Sequence, residues 1–312
     1  MGELVKLETR KQYELSAVTG NEYEQFIKYL DASKKTIETY GKAVKQFALY
    51  CAERKISQPQ REDVIAYREQ LKETHKPSTV QNYIVAVRLF FRWLDQAGLY
   101  PNVADHVKGA KLDRSHKKDY LTSEQAKSVL AGIERETAKG KRDYAILSLM
   151  LTCGLRDIEI ARADIQDLGT VADSTVLYVQ GKGKQERTEY VKVPAPAEKA
   201  IRDYLKTRKS TKGSLPLFVS TSNNNTDGRL TTRAISGAVK TALKNAGYDS
   251  ERLTAHSLRH TAVTLSLLAG KDITEVQQFA RHSNISTTMI YNHALDKAKN
   301  SCSEAVANSL FA

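Results

Sequence analysis

Cysteine is scarce in this chain: Cys51, Cys153 and Cys302 are the only three in 312 residues, far apart and never in a CxxC pair. That spacing argues against a disulfide framework and a cysteine zinc site, and suits a reducing compartment. Long apolar runs are missing as well. The longest, around Tyr144–Leu151, falls short of the ~20 residues that a membrane-spanning helix needs. The opening Met1-Gly2-Glu3-Leu4-Val5-Lys6 has no apolar signal-peptide core, and Lys6 stands where a myristoylation signal wants Ser or Thr. A cytoplasmic protein with no membrane partner is expected. GxxxxGK[ST] is absent, which disfavours a P-loop. No acidic cluster suggests metal-dependent nuclease or transposase chemistry. His256 and His260 have the i,i+4 spacing of zinc ligands, but no third ligand accompanies them, so no metal and no cofactor are expected. No internal repeat is visible.

Acidic residues are in deficit, 36 against 48 Lys and Arg, for a net charge of +12. Such a surplus points to a polyanion, nucleic acid being the commonest. A chain of 312 residues favours two domains over one. The first 20 residues are polar and read as a flexible segment. Residues 21–108 read as a small basic all-helical domain. Thr36 can cap a helix whose Ile37, Tyr40, Val44, Phe47 and Cys51 share one face, with Lys42 and Lys45 on the other. Helices over 62–71 and from Pro77 to Gly98 follow. Residues 109–119 are rich in charge and read as a linker. Residues 120–300 form a mixed α+β domain. Thr122 caps its first helix, and Asp143–Cys153 is apolar nearly all round, hence buried. Val176–Val179 and Glu189–Val193 read as a β-hairpin, and helices follow at about 232–245, 255–269, 273–280 and 287–299. The fold class is mainly α, with a small β-hairpin in the second domain.

Four short segments carry chemistry. In Leu155-Arg156-Asp157-Ile158-Glu159, Arg156 follows the break at Gly154 and should sit at an element end, where Glu159 can orient a partner or pair with Arg162. In Gly181-Lys182-Gly183-Lys184, Lys182 is a solvated turn lysine or an ammonium that reaches a phosphate from a hairpin tip. In His256-Ser257-Leu258-Arg259-His260, His256 and Arg259 share a helix face and can hold two oxygens of one phosphate. In the last segment Tyr291 lies nine residues after His282. Ile290 and Ala294 are available for packing beside it, which leaves Tyr291 to point elsewhere. Its ordinary pKa of about 10 means that it needs cations or a base beside it to act as a nucleophile.

Order and local spacing together resemble the tyrosine recombinase (phage integrase) family over about residues 21–300. The resemblance implies a helical core-binding, SAM-like domain and a catalytic domain that close on DNA as a C-shaped clamp. It implies a site-specific recombinase that needs neither metal nor ATP and works through a 3′-phosphotyrosyl intermediate and a Holliday junction. Tyr291 would be the nucleophile, Arg156 and Arg259 would stabilise the transition state, and Lys182 would protonate the leaving oxygen. His256 would act as general acid/base with Glu159 in support, and His282 would hydrogen-bond the phosphate. Lys42, Lys45, Lys184 and Arg281 are the further candidate DNA contacts. Arg281 stands where glycine is frequent in the family, and Asp157 where an aliphatic residue is usual. Implied partners are double-stranded DNA with inverted-repeat core sites, a homo-tetramer on two such sites, and accessory DNA-bending or directionality factors. No separate arm-binding domain is expected, as in Xer recombinases and mobile-element integrases. The tail 301–312 has apolar residues at helical spacing and is expected to dock on a neighbouring protomer.

Overall fold

The computed structural model describes residues 20–112, 119–181, 186–221, 228–291 and 301–311. The chain divides into two compact units, Met1–Arg114 and Ser115–Ala312. In the first, four helices enclose one aromatic-rich core: α1 (Gly20–Tyr29), α2 (Lys34–Glu53), α3 (Arg61–Thr74) and α4 (Pro77–Gln96). Ser33, rather than Thr36, caps α2, its Oγ accepting the Thr36 N–H at 3.3 Å. Pro77 sits in the first turn of α4, where its missing N–H costs nothing. Phe26, Phe47, Phe90 and Phe91 are fully buried and meet edge to face, with ring centroids 5.1 Å apart for Phe26–Phe90 and 5.7 Å for Phe47–Phe91. Each such side chain contributes about 1.5–3 kcal/mol by leaving water.

The second unit is built around α6 (Ala138–Cys153), which packs against α8 (Ala195–Leu205) and α10 (Ala255–Leu268). Ala145, Ile146, Leu147, Leu149 and Met150 are all buried, in keeping with the nearly continuous apolar character of this segment. Further helices are α5 (Ser123–Ala131), α7 (Asp157–Arg162), α9 (Thr232–Asn245) and α11 (Ile273–Ala280). Three antiparallel strands lie in the order β1 (Leu168–Val171), β2 (Ser174–Val179) and β3 (Glu189–Lys192), with Leu177 opposite both Leu168 and Val191. Leu177, Val179 and Val191 face the core, while Tyr178 and Tyr190 pair edge to face on the other side. β1 and α8 extend what the hydrophobic pattern indicated. The β1–β2 turn places both Ala172 and Asp173 at positive φ, a conformation usually signalled by Asn-Gly or Asp-Gly.

Cys51 and Cys153 are buried, and burial pushes their thiols up to about 12 and about 11. Cys302 is exposed at the start of a C-terminal helix, Cys302–Phe311, whose Val306, Leu310 and Phe311 also face solvent. Among the described residues no helix is long and apolar enough to cross a membrane.

Candidate active site

Gly154 ends α6 in the left-handed conformation at φ +59°, and a Cβ there would press against the Phe279 ring at 3.1 Å. The chain then turns through buried Leu155 into Arg156, the N-cap residue of α7. Glu159 closes this start reciprocally. Its carboxylate accepts the Arg156 backbone N–H at 2.8 Å and the Arg156 Nη1–H at 2.9 Å. The same carboxylate accepts from Arg281 Nη2 at 2.8 Å. Glu159 is therefore the fully buried centre of an arginine pair. This arginine-pairing role is one that the spacing of Glu159 did not indicate. Burial pushes the Glu159 carboxyl up, but Arg281 and Arg156 outweigh it and hold the group below its ordinary range.

Arg281 also departs from expectation. It caps α11 at φ +51°, a left-handed backbone that costs a residue with a Cβ about 1–2 kcal/mol. This conformation accounts for the suitability of glycine at the position. Here the side chain turns inward to Glu159 and is only 7% exposed, a buried ion-pair partner at the edge of the cleft that Arg156 and His282 line.

Arg259, on α10, is 1% exposed. Its Nη1 donates to the Gly154 carbonyl at 2.5 Å and its Nη2 to the Ala280 carbonyl. Both acceptors lie at helix C-termini, those of α6 and α11, where the helix dipole presents negative charge. Burial first, then Arg156 and Arg281, push its pKa down to about 9, so it stays protonated at neutral pH. His282 follows α11 and shares a 2.9 Å hydrogen bond between its Nδ1 and Thr288 Oγ1. Burial and the charges of Arg259, Arg156 and Arg281 push it down to about 4, which makes it a neutral imidazole at pH 7.

Tyr291 lies on the helical residues 286–291 and is 6% exposed. It packs with Val263, Val276 and Ala280, while Ile290 is the exposed neighbour, the reverse of the sequence expectation. The physical reason is polar as well as apolar: the Tyr291 hydroxyl shares a hydrogen bond with His260 Nδ1. Burial pushes the phenol up to about 12, while Arg259 and Arg156 draw it down. The sequence gives His260 no signal of its own as a site residue, because its spacing from His256 reads as a metal pair. Exposed His256 lies one turn away on α10, its ring centroid 4.4 Å from that of His260.

Arg156 and His282 line a cleft of about 820 Å³ that also takes in Gly181, Tyr190 and Thr287. Lys182 and Lys184 lie outside the described residues, but both flanks of their hairpin are tied to the α7 region. Arg162 Nη1 donates to the Gly181 carbonyl at 3.2 Å, and Arg187 reaches Asp164 at 2.6 Å and Asp167 at 2.8 Å. Arg229 also pairs with Asp164. In the first unit Lys42 and Lys45 are exposed on α2, with Lys45 Nζ 4.5 Å from the centre of the Tyr23 ring. The site thus brings together Arg156, Glu159, Arg259, His282 and Tyr291, with His260 and Arg281 added.

Residues 119–298 match the phage integrase family, and residues 21–99 match its N-terminal SAM-like domain. The chain is 34% identical over 228 residues to the tyrosine recombinase XerC of Caldanaerobacter subterraneus, an alignment covering 72% of this chain and 61% of that relative. It is 31% identical over 233 residues to XerC of Chlamydia trachomatis, covering 74% and 71% of the two chains. Over 283 residues, 86% of this chain, it is 29% identical to XerC of Herpetosiphon aurantiacus, covering 89% of that protein. Among solved structures, XerH recombinase in a post-cleavage complex with its difH substrate superposes with a TM-score of 0.73 at 20% identity, over 92% of this chain and 86% of that one. Lambda integrase bound to a core site gives 0.66 at 16% identity, over 86% and 96%. These two likenesses concern the fold, which is mainly helical with one small antiparallel sheet. On the family match across most of its length, this chain belongs to the phage integrase family, the tyrosine recombinases.

Proposed function

We propose that this protein is a site-specific DNA recombinase that cuts and rejoins double-stranded DNA through a 3′-phosphotyrosyl intermediate. The observation that carries this reading is the convergence on Tyr291 of two arginine charges, both of which act on the phenol and on neutral His282. Tyr291 Oη attacks the scissile phosphorus as the bond to the 5′-oxygen breaks. Arg156 and Arg259 stabilise the negative charge that builds on the non-bridging oxygens, already held in place before the reaction. His282, an uncharged ring, hydrogen-bonds a phosphate oxygen. Lys182, next in sequence to Gly181 of the cleft, protonates the leaving 5′-oxygen, and His256 serves as a general acid/base. The phosphotyrosine conserves the energy of the broken linkage, so rejoining requires neither ATP nor a metal.

Residues 120–300 form the catalytic domain and residues 21–108 a helical DNA-binding domain that presents Lys42 and Lys45 to the backbone. Two DNA sites are joined in a tetramer through a Holliday junction, and the tail 301–312 docks on a neighbouring protomer. The relatives' names support an Xer-like resolvase; the alternative is a mobile-element integrase, and either would work in the cytoplasm. The test is incubation in EDTA with nicked suicide duplexes drawn from DNA flanking the gene. A protein–DNA band on a denaturing gel that disappears in Tyr291→Phe is expected. Tight binding with no band, or a band that survives in Tyr291→Phe, overturns the reading.

A further inference from the structure

The phenol of Tyr291 must shed its proton as it attacks, and the groups around it differ in their ability to take one. Arg156 and Arg259 are donors only. His282 is engaged through Nδ1 with Thr288, and its ring stands 6.5 Å, centroid to centroid, from that of Tyr291. His256 is exposed, a turn of α10 away from His260. His260 is in direct hydrogen-bond contact, its Nδ1 paired with the Tyr291 hydroxyl, and both side chains are buried. Behind it, His256 meets His260 edge to face, with the ring planes at 83°. Positions 256 and 260 fall on one helix face, so the two rings form a short line from the buried phenol to the solvent.

We propose that His260 is a catalytic residue of the proposed recombinase, the base that takes the proton of Tyr291 during cleavage and returns it during rejoining. In this step it acts as a neutral ring with the proton on Nε2, its Nδ1 lone pair accepting from the Tyr291 hydroxyl. As the Tyr291 Oη–P bond forms, the Oη–H bond breaks and its proton passes to Nδ1, leaving an imidazolium. The P–O5′ bond breaks at the same time, and its oxygen takes a separate proton from Lys182. In rejoining, the 5′-hydroxyl attacks the phosphotyrosine, Lys182 recovers its proton, and His260 protonates the departing phenolate oxygen.

This inference rests on the recombinase reading, and the experiment separates the two. Rates of covalent adduct formation are compared on an ordinary suicide duplex and on one with a 5′-bridging sulfur, whose leaving group needs no proton donor. The variants are Lys182→Ala, His260→Asn and His260→Ala. Asn can place an accepting oxygen close to the position of Nδ1 but cannot serve as a base at neutral pH. Cleavage by His260→Asn is expected to fall on the order of 10²- to 10⁴-fold on both duplexes, as loss of a general base does. Lys182→Ala is expected to fall on the oxygen duplex and recover on the sulfur one. Circular dichroism and DNA affinity verify that each variant is folded, and His260→Gln replaces His260→Asn if the latter is not. An Asn variant that cleaves within about threefold of wild type while the Ala variant fails would reduce His260 to positioning the phenol and overturn the assignment. Sulfur rescue of His260→Asn would overturn it too, by making the residue an acid. A wild-type chain that forms no adduct on either duplex removes the recombinase reading, and the assignment with it.

Discussion

Replacing Glu159 with glutamine tests the electrostatic frame of the site. The carboxylate is fully buried and accepts three hydrogen bonds, two from Arg156 and one from Arg281. Arg281 is only 7% exposed, and its Nε has no hydrogen-bond partner among the described residues. Arg259 is buried nearby and already feels both charges. A neutral amide keeps one accepting oxygen, turns two N–H donors toward a guanidinium, and leaves two arginines without their counter-charge. Removing one partner of a buried ion pair costs about 3–5 kcal/mol. The second unit has roughly 200 residues, a size at which each kcal/mol moves the midpoint by about 2–4 °C, so its Tm should drop by about 6–20 °C. Far-UV circular dichroism reads this transition. Fluorescence of Trp93, the single tryptophan, reads the first unit and should not move. The pH dependence has a definite sign. Because the folded Glu159 carboxyl is held below its ordinary value of about 4.3, its contribution is complete above that value and is lost as pH falls through the folded one. The gap between wild type and Glu159→Gln should therefore close in acid. A variant within about 1 kcal/mol of wild type at pH 7, or a gap that widens as pH falls, would refute the reasoning.

Lys182→Ala should slow cleavage by about 10²-fold or more, with a 5′-thio leaving group restoring the rate in the same gel assay. Asp164→Ala strips Arg187 and Arg229 of a shared charged acceptor. It should cost about 1.5–3 kcal/mol in urea unfolding and lower the cleavage rate by loosening the hairpin that carries Lys182. DNA affinity should fall with salt at a log–log slope of about −0.9 per phosphate neutralised, measurable by fluorescence anisotropy; a flat response would contradict a basic DNA clamp. Deletion of residues 303–312 should leave single-site binding intact while abolishing the slow-migrating junction complex in a native gel.

Local chemistry made much of this molecule legible. The mostly apolar stretch before Gly154 lies in α6, and the break after it places Arg156 at the start of α7. The strands flanking the Lys182 turn pair as expected. What spacing could not reveal is long-range or conformational. The Glu159–Arg281 pair spans 122 positions, and no periodicity signals it. Arg281 occupies a left-handed backbone that the sequence pattern assigns to glycine. The β1–β2 turn hides behind Ala172-Asp173, which lacks the usual turn residues. In the sequence Ile290 and Ala294 are enough for the packing, which points Tyr291 away from it. A hydroxyl partner on α10 makes burial of a tyrosine affordable, and Ile290 is left outside.

The three cysteines have a practical consequence. Cys51 and Cys153 are sealed in the cores of different units, with thiols that burial keeps protonated far above neutral pH. Since thiolates are what alkylating reagents attack, both should resist maleimides while the protein stays folded. Cys302 alone is exposed, at the first residue of the C-terminal helix. The natural chain thus carries one addressable handle, on the very segment with exposed Val306, Leu310 and Phe311. A dye placed there without mutagenesis would report, through its rotational freedom, the moment that segment is captured by another molecule.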